Sequence, residues 1–225
     1  MNQSAEIRSK RNDLSPFLFH FTKDFETLKL IVQQLKLKAN RGYICFTEAP
    51  LTQSVELFRY FHKFQPTPYE PYLKPMFVPY GIGISREFLF NKGARPLIYS
   101  SLEELELLPD EFKWRTMELN MVKPDYSWLR EWRINSNLFD FSDYRNEIIV
   151  ITISKNELIE ICEDDIFDID FSYEHEIGEC IPSIIANKKR IFKGIAIQDI
   201  VQNSLNSDLQ IEYNTGKQKV DEIIE

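Results

Sequence analysis

One short stretch, residues 128–134, combines residue types that could support catalysis. It reads WLREWRI and places the carboxylate of Glu131 between two arginines, Arg130 and Arg133, and two tryptophans. A carboxylate held among cations and aromatic rings stays ionised near neutral pH and is poorly hydrated. Such a group can hydrogen-bond a sugar hydroxyl and stabilise positive charge that develops on the sugar. The simpler alternative is an ordinary strand with a cross-strand salt bridge.

The segments before this stretch must position it. Short aromatic or β-branched runs predict strands at residues 17–21, 43–47 and 80–84. Helical spacing after a capping residue predicts helices over residues 24–38 and from Thr52 to about His62. The connector that follows the second helix contains five prolines and four aromatic side chains, which is typical of a lid or binding loop. These residues are Pro66, Pro68, Pro71, Pro75 and Pro79, with Tyr69, Tyr72, Phe77 and Tyr80.

The second half of the chain alternates strands with short helices. The run from Glu147 to Ser154 is typical of a strand buried on both faces, and therefore central in a sheet. Further strands are predicted at 97–99, 194–197 and 209–213, and helices at 101–108, 111–122, 154–162 and 182–189. The pattern predicts an α+β fold with a mixed, mainly antiparallel central sheet and flanking helices.

Length and charge suggest how the chain is organised. Its 225 residues suit a single domain, with a polar leader (1–15), a core (16–154) and an acidic C-terminal part (155–225) that completes the fold. The net charge is −8, and ten acidic residues but no Lys or Arg lie between residues 157 and 179. A basic inhibitor protein could bind that acidic face. We expect a cytoplasmic protein, since the sequence shows neither a secretory signal nor a membrane-spanning segment.

Several common kinds of active site are not indicated by the sequence. The three histidines, His20, His62 and His175, are scattered, and none pairs with a cysteine at zinc-ligand spacing, so no metal site is predicted. Neither a phosphate-binding glycine motif nor a nucleophile elbow occurs. The remaining candidates are polar residues within aromatic strands.

Four of these segments together resemble a known family. The segments FLFHFT, YICFTEAPL, PYGIGISREFLFNKGARPLIY and LREWRI resemble the AbiGi-type abortive-infection proteins of bacteria. More distantly they resemble the ADP-ribosyltransferase fold of DarT-like and CmdT-like toxins. The matching segments run from about Phe17 to Ile134, roughly half of the chain.

The resemblance implies an ADP-ribosyltransferase-like fold, NAD as co-substrate, and a role as an anti-phage defence or toxin–antitoxin effector. The basic partner of the acidic face would then be an antitoxin protein. It implies that His20 and Thr22 hold the NAD ribose and the nicotinamide amide, that Thr47 also binds NAD, and that Glu131 is the catalytic glutamate, assisted by His20. The chain departs from the pattern in two places. Cys45-Phe46-Thr47 replaces Ser-Thr-Ser, and Leu129 stands where arginine-specific enzymes carry a second acidic residue.

The chemistry of NAD assigns further roles on this hypothesis. Cleavage of the nicotinamide–ribose bond produces a cationic sugar, which Glu131 would stabilise. Arg86 or Arg95 would bind the pyrophosphate, and Tyr80 or Tyr99 would stack on nicotinamide. The resemblance favours nucleic acid over protein as acceptor. Cations that could guide a single strand are Arg115, Lys123, Arg130 and Arg133.

Two other functions fit the same residues. The chain could be a non-catalytic antitoxin or sensor partner, in which the aromatic residues and the acidic face form interfaces. It could also be a nuclease in which Glu48, Glu131 and nearby Asp residues bind magnesium, although Arg130 and Arg133 beside Glu131 argue against this. Substitution of Glu131 and a direct assay with NAD separate these possibilities.

Overall fold

The computed structural model describes residues 15–40, 42–62, 78–120, 122, 126–174 and 179–200. Side chains are described for these residues except 56, 57, 59–62, 164–174 and 179–190. Three expected features lie largely or wholly outside the described residues. They are the polar leader, most of the proline-rich lid and the strand at 209–213.

The described residues form thirteen strands and six helices. The strands are β1 Phe17–Phe21, β2 Lys36–Lys38, β3 Ile44–Thr47, β4 Gly81–Ser85, β5 Arg95–Pro96, β6 Ile98–Ser100, β7 Thr116–Glu118, β8 Glu131–Ile134, β9 Leu138–Asp140, β10 Ile149–Thr152, β11 Glu163–Glu174, β12 Glu179–Arg190 and β13 Lys193–Ala196. The helices are α1 Phe25–Gln34, α2 Leu51–His62, α3 Arg86–Asn91, α4 Leu102–Glu106, α5 Asp110–Lys113 and α6 Lys155–Cys162, with 3-10 turns at Ser127–Leu129 and Ser142–Glu147.

Seven strands form the central sheet in the order β13-β10-β4-β1-β3-β8-β5. Only the β10–β13 pair is parallel, so the predicted α+β fold with a mixed, mainly antiparallel sheet is confirmed. Strand β10 is buried along its whole length between β13 and β4, as its run of β-branched residues predicts. Three further pairs, β2–β9, β6–β7 and β11–β12, lie outside this sheet.

Helices cover both faces of the sheet. On one side, the α1 face, Leu28 and Leu158 from helices α1 and α6 pack with Leu18 and Phe46 in the main core. On the other side, the α2 face, Val55 of helix α2 belongs to a second cluster around Phe19 and Ile149. Because side chains alternate along a strand, the register decides which residues can meet on each face.

Local capping explains where the helices begin and end. Helix α1 starts because the Asp24 side chain accepts a hydrogen bond from the Thr27 amide (2.7 Å). It ends at Leu35, whose φ of 53° lies in the left-handed region. The predicted helix 24–38 is therefore four residues too long, since residues 36–38 pair with β9 instead. Ser154 and Glu157 form the predicted capping box of helix α6.

Two predicted helices are wrong, because pairing with a distant strand replaces them. The helix predicted at 111–122 ends at Lys113, after which Thr116 pairs with Ile98 in the parallel β6–β7 ladder. The helix predicted at 182–189 is part of β12, which pairs with β11 over twelve register positions. Pro182 can begin a helix, but the isoleucine-rich residues around it favour a strand once β11 is available.

The two glycines of β4 make room for phenylalanine rings. A Cβ on Gly83 would lie 2.9 Å from the Phe19 ring, and one on Gly81 would lie 2.9 Å from the Phe21 ring. The Cβ on Gly81 would also lie 2.5 Å from the backbone oxygen of His20. These glycines therefore allow close packing between β1 and β4.

We expect Gly81→Ala to destabilise the protein more than Gly83→Ala. The new methyl group in Gly81→Ala meets backbone that cannot rotate away, whereas in Gly83→Ala it meets a side chain. Overpacking of this kind costs about 1–3 kcal/mol. Urea denaturation of the two variants and the wild type measures the difference, and equal midpoints for all three would contradict it.

Candidate active site

Glu131 is buried at the first position of β8, with a relative exposure of 8%. Arg130, in the left-handed region with a φ of 45°, turns the chain from the 3-10 turn into this strand. Glu131 then pairs with Thr47 on one side. On the other side its carbonyl accepts from the Leu97 amide (2.9 Å), and its own amide donates to the Tyr99 hydroxyl oxygen (3.4 Å). Its backbone is therefore fixed from both sides.

Arg133 holds one oxygen of the Glu131 carboxylate. The two residues lie on the same face two positions apart, and Arg133 Nε donates to Glu131 Oε1 at 2.7 Å. The exposed fractions of the two side chains are 7% and 10%. The Arg133 guanidinium also lies 4.1 Å from the centre of the Tyr43 ring. The salt bridge of Glu131 thus lies within one strand and not across two strands as the simpler alternative had it, and it is buried, where it is little screened by solvent.

Cys45 is a neighbour of Glu131 that our sequence analysis did not select as a site residue. It pairs with Arg133 across the β3–β8 ladder and shares the α2 face with Glu131. Burial, and then the charge and hydrogen bond of Glu131, raise the pKa of the Cys45 thiol to about 12. The thiol is therefore protonated at neutral pH and can donate to the carboxylate. The sequence could have indicated Cys45, because it lies two residues before Thr47 and alternate residues of a strand share a face.

His20 lies on the other face of the sheet, so the expectation that His20 and Glu131 contact one sugar ring is wrong. Phe19 pairs with Thr47, and Thr47 pairs with Glu131, which places all three on the α2 face. His20 is the next residue and therefore points to the α1 face. There its ring lies 5.8 Å from that of Phe46.

The imidazole of His20 instead bridges two strands. Its Nδ1 donates to the carbonyl oxygen of Cys45 at 2.8 Å. Burial lowers the pKa of His20, and this bond offsets the effect only in part, so the ring is neutral at pH 7. In the described residues, Phe19 and Thr47 form the single register pair between β1 and β3. His20 thus joins the strands where their ladder stops and contacts the backbone of a Glu131 neighbour.

Thr47 closes the end of its strand. Its hydroxyl donates to the Leu129 carbonyl and accepts from the Ala49 amide (3.1 Å). The one donor and one of the two acceptor lone pairs of this buried hydroxyl are therefore used within the protein, so toward NAD it could act only as an acceptor. Of the predicted cofactor-binding residues, Thr47 pairs with Glu131 and Tyr99 hydrogen-bonds to it.

The two arginines expected to bind pyrophosphate have other partners. Arg86 forms a buried ion pair with Glu48, which also accepts from Trp132 Nε1 at 3.0 Å. Arg95 donates to the carbonyls of Phe90 and Ala94 at 2.8 and 2.7 Å, and its guanidinium lies 4.1 Å from the centre of the Phe90 ring. Arg86 is therefore held by a carboxylate that lies on the α1 face, whereas Arg95 pairs with Arg133 across the β5–β8 ladder and so lies on the α2 face beside Glu131.

Tyr80 and Thr22 lie elsewhere on the α1 face. The Tyr80 hydroxyl donates to Glu157 at 2.6 Å, beside the start of helix α6, and its ring packs against Phe25. Burial, and then Glu157, raise the pKa of Tyr80. The Thr22 amide donates to the Tyr80 carbonyl (2.8 Å). Neither residue contacts Glu131, so the expected stacking of Tyr80 on nicotinamide is corrected.

The two glutamates of the nuclease alternative are separated as well. Glu48 contacts Trp132, which lies on the α1 face, whereas Glu131 lies on the α2 face. Within the described ranges, no group of three or more His, Cys, Asp or Glu side chains is arranged to hold a metal ion. No helix in the described part of the chain is long and apolar enough to cross a membrane. The side chains of the acidic stretch in β11 lie outside this description.

Comparisons with profiles of protein families, with curated proteins and with solved structures find no match to this chain.

Proposed function

We propose that the protein is an NAD-dependent ADP-ribosyltransferase of the AbiGi type that acts as an anti-phage or toxin–antitoxin effector. The observation that carries the proposal is the environment of Glu131. Its buried carboxylate is fixed by Arg133 through one oxygen and lies beside the protonated thiol of Cys45. A carboxylate fixed in this way is suited to stabilise positive charge that appears only in the transition state.

The reaction breaks one bond and forms one bond. The C1′–N bond of NAD breaks, its electron pair leaves with neutral nicotinamide, and C1′ of the ribose becomes cationic. Glu131 accepts a hydrogen bond from a ribose hydroxyl and stabilises that charge. An oxygen or nitrogen atom of the acceptor, or water, then bonds to C1′, and its proton passes to solvent.

The remaining residues take revised roles. Tyr99, whose hydroxyl lies at the Glu131 amide, is the aromatic side chain that could contact nicotinamide. His20 acts as a positioning residue, because it holds the carbonyl of Cys45 and so fixes β3 beside β1. Arg86 is occupied by Glu48, so Arg95, which lies on the α2 face opposite Arg133, is the better candidate of the two for the pyrophosphate.

The charges near Glu131 do not carry the expectation of a nucleic-acid acceptor. Arg133 is buried, the Arg115 guanidinium packs on Phe112, and Lys123 lies outside the described residues, whereas Arg130 is half-buried directly before Glu131. The neighbouring segment 101–119 contains six acidic and two basic residues. This segment offers no net positive charge to a polyanion, so RNA, DNA and protein must be compared directly as acceptors.

Incubation of the intact protein with labelled NAD tests the proposal. We expect release of nicotinamide and transfer of label from the adenosine portion to one class of acceptor in a bacterial extract fractionated into RNA, DNA and protein. An absence of both nicotinamide release and transfer with all three fractions would contradict the proposal. It would favour the non-catalytic antitoxin or sensor alternative.

A further inference from the structure

We infer that Arg133 is a positioning residue that couples the Glu131 carboxylate to the segment between β5 and β8. This inference rests on the proposed function for its effect on turnover, but the coupling itself can be measured without NAD. The part of that segment concerned, residues 98–119, contains β6, α4, α5 and β7 and is called the insertion below.

The side chain of Arg133 links the carboxylate to the insertion directly. Its Nε donates to Glu131 Oε1 at 2.7 Å. From the same guanidinium, Nη1 donates to the backbone carbonyls of Trp114 and Thr116 at 3.0 and 3.2 Å. The two carbonyls lie at the end of the α5 turn and the start of β7, so one planar group fixes the carboxylate and the insertion together.

The geometry requires an arginine. A guanidinium presents five N–H donors in a rigid plane, whereas a lysine ammonium presents three donors from one point at the end of a flexible chain. Lysine could bind Glu131 or the carbonyls, but it could not hold both at these separations. Tyr43 packs on the guanidinium at 4.1 Å and restricts it further.

A second contact joins the insertion to the same residue. The Tyr99 hydroxyl of β6 accepts from the Glu131 amide at 3.4 Å. The insertion therefore contacts the backbone of Glu131 directly through Tyr99, and it is linked to the Glu131 carboxylate through Arg133. Movement of the insertion on binding an acceptor would change the position of the carboxylate, which gives acceptor binding a route to influence turnover.

Two measurements on Arg133→Lys test the inference. We expect kcat for nicotinamide release to fall about 100-fold, the cost of misplacing a catalytic group by about 1 Å, while KM for NAD stays within about twofold. We also expect faster amide hydrogen exchange in Ile98 and Leu119, whose amides bond to the carbonyls of Arg115 and Ser100. In Arg133→Ala, added methylguanidinium should restore part of kcat.

The outcomes separate this inference from the proposed function. Arg145→Lys is the control, since Arg145 packs on Phe192, which belongs to the α1-face core and directly precedes β13 at the other end of the central sheet, and it should match the wild type. Unchanged exchange in the insertion of Arg133→Lys would overturn the coupling, whether or not the protein uses NAD. Faster exchange with unchanged kcat would overturn the positioning role. A wild type that releases no nicotinamide, with faster exchange in Arg133→Lys, would overturn the proposed function but leave the coupling.

Discussion

Glu131→Gln should lower the rate of nicotinamide release by about 10²–10³-fold, the usual cost of removing a principal group that stabilises transition-state charge. Glutamine preserves the size of the side chain and can still accept from Arg133, but it removes the negative charge that stabilises the cationic sugar. KM for NAD should change little, because the missing interaction strengthens only in the transition state. Steady-state kinetics at saturating NAD measure the effect.

Glu48→Gln is a matched control for this prediction. Glu48 is the other buried glutamate of these strands and is also paired with an arginine, but it lies on the α1 face. A general effect of losing a buried carboxylate would appear in both variants, whereas loss of catalysis should appear only in Glu131→Gln. Equal activity of Glu131→Gln and wild type, with both shown to be folded by circular dichroism, would exclude a role of Glu131 in the reaction.

In a bacterial host, Glu131→Gln should also relieve any toxicity of the intact chain.

Periodicity within a single strand predicted the parts of the site that lie close in sequence. Glu131 and Arg133 are two residues apart, so any strand places them on one face, and the structure joins them at 2.7 Å. The same rule applied to Thr47 would have found Cys45. The type of fold was predictable for a similar reason, since capping boxes and β-branched runs are local signals.

The relation between His20 and Glu131 could not be predicted in this way. It depends on the register of two ladders, and a shift of one residue moves a side chain to the opposite face. The register pair between Phe19 and Thr47 determines that His20 and Glu131 lie on opposite faces, and the sequence of neither strand specifies that pairing. The same limit applies to Arg86 and Arg95, because sequence shows that a cation is present but not which carboxylate or carbonyl lies beside it.

Arg86→Met should lower the free energy of unfolding by about 3 kcal/mol, because breaking a buried ion pair leaves an uncompensated charge. The exposed fractions of the Arg86 and Glu48 side chains are 17% and 10%, so water can replace little of the lost interaction. KM for NAD should stay unchanged if Arg86 is structural. If Arg86 instead binds the pyrophosphate, its substitution should raise KM for NAD. Denaturation by urea and NAD kinetics on the same preparation measure both quantities.

The double variant Glu48→Gln/Arg86→Met identifies the source of that loss. If the cost comes from a buried carboxylate without its partner, neutralising Glu48 removes it, and the double variant should be more stable than Arg86→Met alone. Glutamine can still accept from Trp132 Nε1, so the bond that links Glu48 to β8 is retained. A double variant whose loss equals the sum of the two single losses would show that the residues do not interact. Arg86 would then again be a candidate for binding the pyrophosphate of NAD.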